Sequence, residues 1–147
     1  MAEPREVSIL LVEDDPGHAR LIEKNLRRSG ITNRLVTAGD GQQALDYLHG
    51  EGDFAGSEAA SPLLVLLDLN LPVLNGYQVL QRMKADERLK RIPVIILTTT
   101  DDTREVERCY DLGCNVYITK PVDYHDFSDA IRKIGLFLSV VTIPNGE

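Results

Sequence analysis

The sequence predicts an α/β fold in which one parallel sheet lies between two layers of helices. Short apolar runs alternate along the chain with segments whose apolar residues recur every three or four positions. Most of these runs are almost continuously apolar, which is typical of strands buried on both faces of a parallel sheet. Because crossovers between parallel strands are right-handed, this alternation predicts a three-layer α/β/α domain.

Five apolar runs are the predicted strands, and each has the length of one strand in a compact sheet. They are Val7–Val12, Leu35–Ala38, Leu63–Leu67, Pro93–Leu97 and Val116–Ile118. For a doubly wound sheet of this size we predict the flavodoxin-like strand order 2-1-3-4-5.

The segments that follow the strands carry the period of amphipathic helices. The residues that define the five predicted helices are, in order, Ala19, Ile22 and Leu26; Leu45 and Leu48; Val79, Leu80 and Met83; Val106, Cys109 and Tyr110; and Phe127, Ala130, Ile131 and Ile134. Asp15 is the predicted N-cap of the first helix because Pro16 follows it. Asp40 and Gln43 form the predicted capping box of the second helix. Glycines are predicted to end the first and fourth helices, at Gly30 and Gly113.

Composition and charge exclude several classes of function. The chain has 147 residues, of which 43% are apolar, so it can bury one core of ordinary size. Its formal net charge of −7 disfavours binding to nucleic acids and to anionic membrane surfaces. No apolar stretch is long enough to cross a bilayer, and the first residues lack the apolar core of a signal peptide. We therefore expect a cytoplasmic protein with no nucleic-acid or membrane partner.

The cysteines and histidines give no sign of a zinc site or a disulfide framework. Cys109 and Cys114 lack the paired spacing of zinc ligands, and two cysteines are too few for a disulfide scaffold. We predict free, half-buried thiols at or just after the fourth helix. The histidines fall in different predicted helices and are interpreted as surface residues: His18, His49 and His125.

Acidic side chains follow two neighbouring strands of the predicted sheet. Ligands of doubly wound sheets bind at the carboxyl ends of the strands. Glu13 and Asp14 follow the first strand, and Asp68 follows the third. In the predicted order these strands lie about 4.8 Å apart, so the three carboxylates are predicted to meet in one pocket.

A threonine and a lysine complete the predicted site. Thr98 follows the fourth strand, and Lys120 follows the fifth with a stem long enough to reach the acids. Close carboxylates repel by roughly 4 kcal/mol per pair at moderate dielectric, so a cation is required among them. Mg²⁺ is the predicted cofactor because it binds one or two carboxylates together with phosphate oxygens. Asp68, held among a metal, an ammonium and a hydroxyl, is the predicted acceptor of a phosphoryl group.

The same residues match the pattern of a known family. Five segments agree with it in order and spacing: Ile9–Pro16, Leu67–Pro72, Gly76, Pro93–Thr98 and Tyr117–Pro121. Over nearly its whole length the chain resembles the receiver domain of two-component response regulators, in the single-domain form known from chemotaxis. On this basis the receiver domain is expected over residues 5–135, with a C-terminal extension over residues 136–147.

The resemblance implies a reaction and the residues that perform it. Asp68 would accept a phosphoryl group from the phosphohistidine of a sensor histidine kinase. Mg²⁺ would be held by Glu13, Asp14, Asp68 and the backbone carbonyl of Asn70. Lys120 would pair with the phosphoryl oxygens.

The resemblance also implies a switch. The Thr98 hydroxyl would bond to the phosphoryl group, and Tyr117 would then swing inward and reshape the face formed by helix 4, strand 5 and helix 5. The peptide bond from Lys120 to Pro121 would be cis, an isomer that proline allows at modest cost. The chain would act as a signalling switch and not as an enzyme, apart from catalysing its own phosphorylation and dephosphorylation.

Two other classes of protein remain open from the residues alone. One is a pseudo-receiver, a binding module of the same fold that takes no phosphate and normally lacks an acid or the lysine. The other is an aspartyl phosphatase or phosphotransferase of the haloacid-dehalogenase type. That family places a second aspartate two positions after the nucleophile, where this chain has Asn70.

The partners are predicted from the end of the chain. No output domain is expected, so the signal would pass to a downstream protein or a phosphotransfer partner. An apolar stripe with helical spacing predicts a homodimer through the last helix and tail: Phe127, Ile131, Ile134, Leu138 and Val141. Folding of the tail onto its own domain remains the alternative, since β-branched residues weaken a helix there. The connection over residues 50–62 and the tail over residues 136–141 resemble regulators of bacterial phytochromes, so a bacteriophytochrome is one candidate for the sensor histidine kinase, whose identity stays open.

Overall fold

The computed structural model describes residues 7–28, 31–50, 63–99 and 102–120, together with His125 and Asp129. The strands are β1 (Ser8–Val12), β2 (Leu35–Ala38), β3 (Leu63–Asp68), β4 (Val94–Thr98) and β5 (Val116–Thr119). The helices are α1 (Pro16–Arg28), α2 (Gly41–His49), α3 (Gly76–Ala85) and α4 (Thr103–Asp111). His125 and Asp129 have helical backbone, and the rest of the predicted fifth helix lies outside the described residues.

The five strands form one parallel sheet in the order β2-β1-β3-β4-β5, which confirms the predicted fold. The register places Val12 of β1 beside Ala38 and Leu67. Asp68 of β3 lies beside Leu97 of β4. The strands therefore finish almost level, and the residues that follow them emerge together at one edge of the sheet.

Two apolar cores cover the two faces of the sheet. On one face, α1 packs against the strands through Ile22 and Leu26, both buried. On the other face, α2, α3 and α4 contribute buried residues such as Leu45, Val79 and Cys109. The predicted layers are confirmed for these four helices.

The strand ends differ slightly from the apolar runs that predict them. β3 continues through Asp68, and β4 begins at Val94 rather than Pro93. Proline has no N–H to contribute to the sheet, whereas an aspartate at the end of a strand keeps its backbone hydrogen bonds. Asp68 is therefore fixed by the sheet itself.

The predicted start of α1 and the predicted end of α4 are both confirmed. The Asp15 carboxylate accepts hydrogen bonds from the backbone N–H groups of Gly17 at 2.8 Å and His18 at 3.2 Å. This confirms the N-cap of α1. Gly113 follows α4 with a φ of 105°, which confirms the helix stop there, while Gly30 lies outside the described residues.

The predicted capping box of α2 is only half formed. Asp40 accepts a hydrogen bond from the N–H of Gln43 at 2.8 Å, as predicted. The Gln43 side chain, however, accepts from Gly39 at 3.0 Å, one residue before the cap. A complete capping box is present instead at α3, between Asn75 and Gln78.

The two cysteines are free, as predicted, but both are buried rather than half-buried. Both side chains pack in the core at the end of α4. There the N–H of Cys114 donates to the carbonyl of Cys109 at 3.0 Å. This is the geometry of a helix C-terminus that brings the two flanking side chains inward.

The loop between β3 and α3 is tightly built. The N–H of Leu74 donates to the Pro72 carbonyl at 2.8 Å, which makes a γ-turn centred on Val73 with a φ of 68°. A positive φ is strained for a β-branched residue. The loop is also pressed against its neighbours, since a Cβ at Gly41 would lie 2.1 Å from the Leu74 carbonyl oxygen. A Cβ at Gly76 would lie 2.4 Å from the Asp68 carbonyl oxygen.

None of the helices in the described segments combines the length and the apolar character that a membrane span requires.

Candidate functional site

The acidic residues after β1 differ in how they are placed. Glu13 is 3% exposed, and its carboxylate accepts a hydrogen bond from the Asp15 N–H at 3.2 Å. Asp14 is exposed at the same edge of the sheet. The short connection from β1 to α1 thus buries one carboxylate and leaves the next one open to solvent.

Asp68 stands at the end of the central strand and is 5% exposed. Its Oδ1 accepts a hydrogen bond from the N–H of Asn70 at 3.0 Å. With one oxygen held by the backbone and the Cα fixed in the sheet, the carboxylate has a defined orientation. This orientation suits a nucleophile that must meet its substrate in one geometry.

Lys120 bridges the two buried carboxylates. Its Nζ lies 2.5 Å from Glu13 Oε1 and 2.9 Å from Asp68 Oδ2, and its side chain is 11% exposed. The backbone N–H of Lys120 donates to the carbonyl of Thr98 at 2.6 Å. The lysine stem crosses from β5 to the acids, as the sequence predicts.

The charges in this cluster shift one another. Burial raises the pKa of the Glu13 carboxyl, although hydrogen bonds from Lys120 and from the Asp15 backbone oppose that effect. Burial alone would lower the pKa of Lys120, but its hydrogen bonds to Glu13 and Asp68 outweigh burial and raise the pKa instead. The ammonium therefore stays charged at neutral pH.

Three carboxylates of the cluster can hold a metal ion together. Carboxylate oxygens of Glu13, Asp14 and Asp68 all lie within 4.8 Å of one another. This donor set contains only oxygen, which is the ligand that hard divalent cations such as Mg²⁺ and Mn²⁺ prefer. The residues present thus fit the predicted cation.

A cleft of about 260 Å³ opens over these groups. Its lining residues are Glu13, Asp14, Asp15, His18, Asp68, Asn70, Thr99 and Lys120. The predicted acids, Asn70 and Lys120 are thereby brought together in one place.

The two predicted switch residues lie beside the cleft and do not line it. Thr98 is 1% exposed, and the adjacent Thr99 is the residue of that segment that reaches the cleft. Tyr117 is half-buried and packs against the core formed with α2, α3 and α4. Pro121 and the predicted cis peptide lie outside the described residues.

The histidines are placed differently from one another. The His18 side chain is 54% exposed, with Nδ1 lying 4.0 Å from Glu13 Oε2 at the rim of the cleft. Its exposure confirms the prediction of a surface residue, whereas its place at the rim of the cleft was not predicted. The signal available was its place in the first turn of α1, directly after the acids. His49 is half-buried and lies 3.8 Å from Asp86, while His125 is exposed.

This fold and this acidic cleft are those of a signalling domain. Residues 9–132 match the response regulator receiver domain family, and the chain belongs to this family.

A response regulator of known structure is similar to this chain over nearly its whole length. The response regulator Rcp1 of Synechocystis sp. PCC 6803 is 39% identical over 137 residues, which cover 92% of each chain. A structure of Rcp1 with bound Mn²⁺ has a TM-score of 0.74 at 38% identity and covers 94% of this chain and 99% of that one.

Two further structures are similar over nearly their whole length. The bacteriophytochrome response regulator RtBRR is 42% identical with a TM-score of 0.85, covering 96% of this chain and 86% of that one. The phosphorylated cyanobacterial phytochrome response regulator RcpA is 38% identical with a TM-score of 0.76, covering 95% of this chain and 99% of that one. The predicted family is therefore confirmed, as is the likeness to phytochrome regulators.

Proposed function

We propose that this chain is a response regulator that is phosphorylated on Asp68 by a sensor histidine kinase. The observation that carries the proposal is Lys120, whose Nζ lies within hydrogen-bond distance of both Asp68 and Glu13 in an open acidic cleft. A charged donor beside a nucleophilic carboxylate stabilises the negative oxygens of a transferring phosphoryl group.

The reaction is a single transfer at phosphorus. A carboxylate oxygen of Asp68 forms the new bond to phosphorus while the N–P bond of the phosphohistidine breaks, and the electron pair stays on the imidazole nitrogen. Lys120 then holds the phosphoryl oxygens, and the Asn70 N–H stays within reach of the other Asp68 oxygen. The chain acts here as a switch and not as an enzyme, since the only reactions proposed for it are its own phosphorylation and dephosphorylation.

Mg²⁺ is the proposed cofactor. Glu13, Asp14, Asp68 and the backbone carbonyl of Asn70 would hold it, and it would supply positive charge to the phosphoryl oxygens. The convergent carboxylates support this assignment, as do the Mn²⁺-bound form of Rcp1 and the phosphorylated form of RcpA.

The output is proposed to be a change in the face formed by α4, β5 and the predicted fifth helix. Thr98 at the end of β4 and Tyr117 on β5 are the proposed switch residues. The burial of Thr98 next to β3 and the half-buried state of Tyr117 support these roles, because small displacements there reach α4 and β5.

The partners are proposed from the relatives and the sequence. Likeness to RtBRR and RcpA supports a bacteriophytochrome as the kinase. We place the protein in the cytoplasm and propose that a downstream protein or a phosphotransfer partner receives the signal. We propose that the receiver domain spans residues 5–135. We further propose that the chain forms a homodimer through its last helix and residues 136–147. A particle mass of two chains by light scattering, reduced to one by deleting residues 136–147, is the expected result.

The first test is the intact mass of the protein after incubation with Mg²⁺ and acetyl phosphate. We expect the mass of one added phosphoryl group, which is lost when Mg²⁺ is chelated and in Asp68→Asn. Asp111→Asn, which changes an exposed acid at the end of α4, is the matched control and should still be phosphorylated. If rapid sampling finds no adduct with acetyl phosphate or with kinase donors, the pseudo-receiver interpretation replaces the proposal.

A further inference from the structure

Helices α3 and α4 are joined by a polar contact that lies outside the acidic cleft. The Tyr77 hydroxyl on α3 donates a hydrogen bond to the carboxylate of Glu105 on α4. The guanidinium of Arg108, one turn further along α4, lies 3.9 Å above the Tyr77 ring. We call these three side chains the α3–α4 clasp.

The clasp joins two helices through complementary groups. A hydrogen bond from a hydroxyl to a carboxylate is stronger than one between neutral groups. The attraction between a cation and an aromatic ring face stabilises the contact further. Tyr77 and Glu105 are half-buried, so water competes for these contacts less than at an open surface. Burial and the bond to Glu105 raise the pKa of the Tyr77 hydroxyl, which keeps it a donor over the physiological range.

Tyr77 is also tied to the acceptor aspartate through the backbone. Gly76 precedes it, and the N–H of Gly76 donates to the Leu69 carbonyl at 2.9 Å. The space for a side chain at Gly76 is filled by the carbonyl of Asp68. The loop from Asp68 to Gly76 thus begins and ends at the acceptor, and a shift of its backbone moves Tyr77.

The hydrogen bond from the Asn70 N–H links a phosphoryl group on Asp68 to that loop. Both carboxylate oxygens are already engaged, one by the Asn70 N–H and one by Lys120. A bond from Oδ2 to phosphorus removes the negative charge that Oδ1 shares with it. The hydrogen bond from the Asn70 N–H to Oδ1 is then weaker, and this N–H lies in the loop. The disturbance therefore has a short path to Tyr77 and from there to α4.

We propose that Tyr77 is a positioning residue whose clasp restrains α4 and is weakened when Asp68 carries a phosphoryl group. This proposal rests on the proposed function for its second half, while the restraint itself follows from the contacts alone. Because coupling between two equilibria is reciprocal, a weaker clasp also favours binding of a phosphoryl mimic.

The test for the restraint is amide hydrogen exchange of α4 in the full chain without any anion. Tyr77→Phe removes the hydroxyl and keeps the ring. We expect exchange of the amides over residues 105–111 to be about fivefold faster, which is the effect of one hydrogen bond of ordinary strength. Tyr110→Phe, which removes a hydroxyl from an exposed tyrosine of α4, should leave exchange unchanged. Unchanged exchange in Tyr77→Phe would overturn the proposal.

The mechanism of the restraint is tested by adding Glu105→Ala. If the hydroxyl acts through Glu105, Tyr77→Phe accelerates exchange in the natural sequence but has no further effect in the Glu105→Ala background. An undiminished effect in that background shows that the clasp is not the cause.

The coupling is tested with Mg²⁺ and beryllofluoride, a noncovalent mimic of the phosphoryl group. Binding should speed α4 exchange in the natural sequence, and Tyr77→Phe should bind the mimic up to about fivefold more tightly. Equal or weaker binding overturns the coupling. If the natural sequence neither binds the mimic nor gains a phosphoryl group, the proposed function fails, and the exchange data without anion still decide the restraint.

Discussion

Lys120 neutralises two acids that the fold buries side by side. Its ammonium contacts Glu13 and Asp68, whose side chains are 1% and 7% exposed. Removing one partner of such a group leaves an uncompensated buried charge, which costs about 3–5 kcal/mol in proteins. The lysine therefore stabilises the domain as well as serving the proposed reaction.

Replacing Lys120 should reveal both roles at once. We expect Lys120→Met to lower the free energy of unfolding by about 3 kcal/mol in the absence of divalent cations. Mg²⁺ should restore more stability to this variant than to the natural sequence, because the metal takes over the neutralising charge. Urea unfolding with and without Mg²⁺ measures both effects.

Lys24→Met is the control for Lys120→Met, since it removes an exposed lysine from α1 and should change stability little. Equal stability of Lys120→Met and Lys24→Met would contradict the neutralising role.

Individual site residues could be predicted to different degrees. The positions of Glu13, Asp68 and Lys120 could be predicted, because strand ends and strand order alone bring these residues to one edge of the sheet. The positions of His18 and Tyr77 could not be predicted, because their surroundings depend on how each helix is rotated and on which helix it packs against. Sequence spacing gives the face of a helix but not its partner.

The N-terminus of α1 depends on an ionised carboxylate. Hydrogen bonds from the backbone of His18 and then of Gly17 hold the pKa of Asp15 below its ordinary value of 3.8. Since the folded-state pKa is depressed, this contribution to stability is fully present well above pH 3.8 and is lost as the pH falls through the lower folded-state value.

Asp15→Asn should therefore behave as an uncharged cap. We expect the difference in free energy of unfolding between the natural sequence and Asp15→Asn to stay constant from neutral pH down to about pH 5, and to shrink at lower pH. Urea unfolding at several pH values measures it. A difference that grows on acidification would show that another group controls the helix end.

At the level of elements, the apolar runs predict the strands well but stop one residue early. β3, β4 and β5 each end in a polar residue, Asp68, Thr98 and Thr119. Backbone pairing continues where hydrophobicity has already ended, so a pattern of side chains cannot mark the last pair. The γ-turn at Val73 cannot be predicted from the sequence either, because valine has no preference for a positive φ and the packing of the loop imposes it.

The buried thiols report on the molecule as a whole. Burial raises the pKa of Cys109 to about 11 and, together with Cys109, that of Cys114 to about 12. Thiolate is the reactive form, so at pH 8 the folded protein holds only a trace of it. Modification then requires the domain to open.

We expect Ellman's reagent at pH 8 to leave the folded protein almost unmodified and to react with both thiols in concentrated guanidinium chloride. The rate in the folded state should follow urea concentration as the unfolding equilibrium does. Cys109→Ala and Cys114→Ala assign the two reactions. Rapid labelling of either thiol under native conditions would contradict the tightly closed end of α4.

The topology of the sheet was predictable because its causes are general. Continuous apolar runs specify a covered parallel sheet, and handedness leaves few strand orders for five strands. The contact between α3 and α4 follows from no such rule. It depends on Tyr77 and Glu105 meeting across two separately packed helices.

The close packing of Gly41 against Leu74 limits which loops can be transplanted between related domains. The first residue of α2 touches the backbone of a loop that lies far from it along the chain, with no room for even one carbon between them. The loop over residues 71–75 of this chain, transplanted into a related regulator, will keep this packing only where the recipient has glycine at the position that matches Gly41. The two segments are therefore best inherited, recombined or engineered as a single unit.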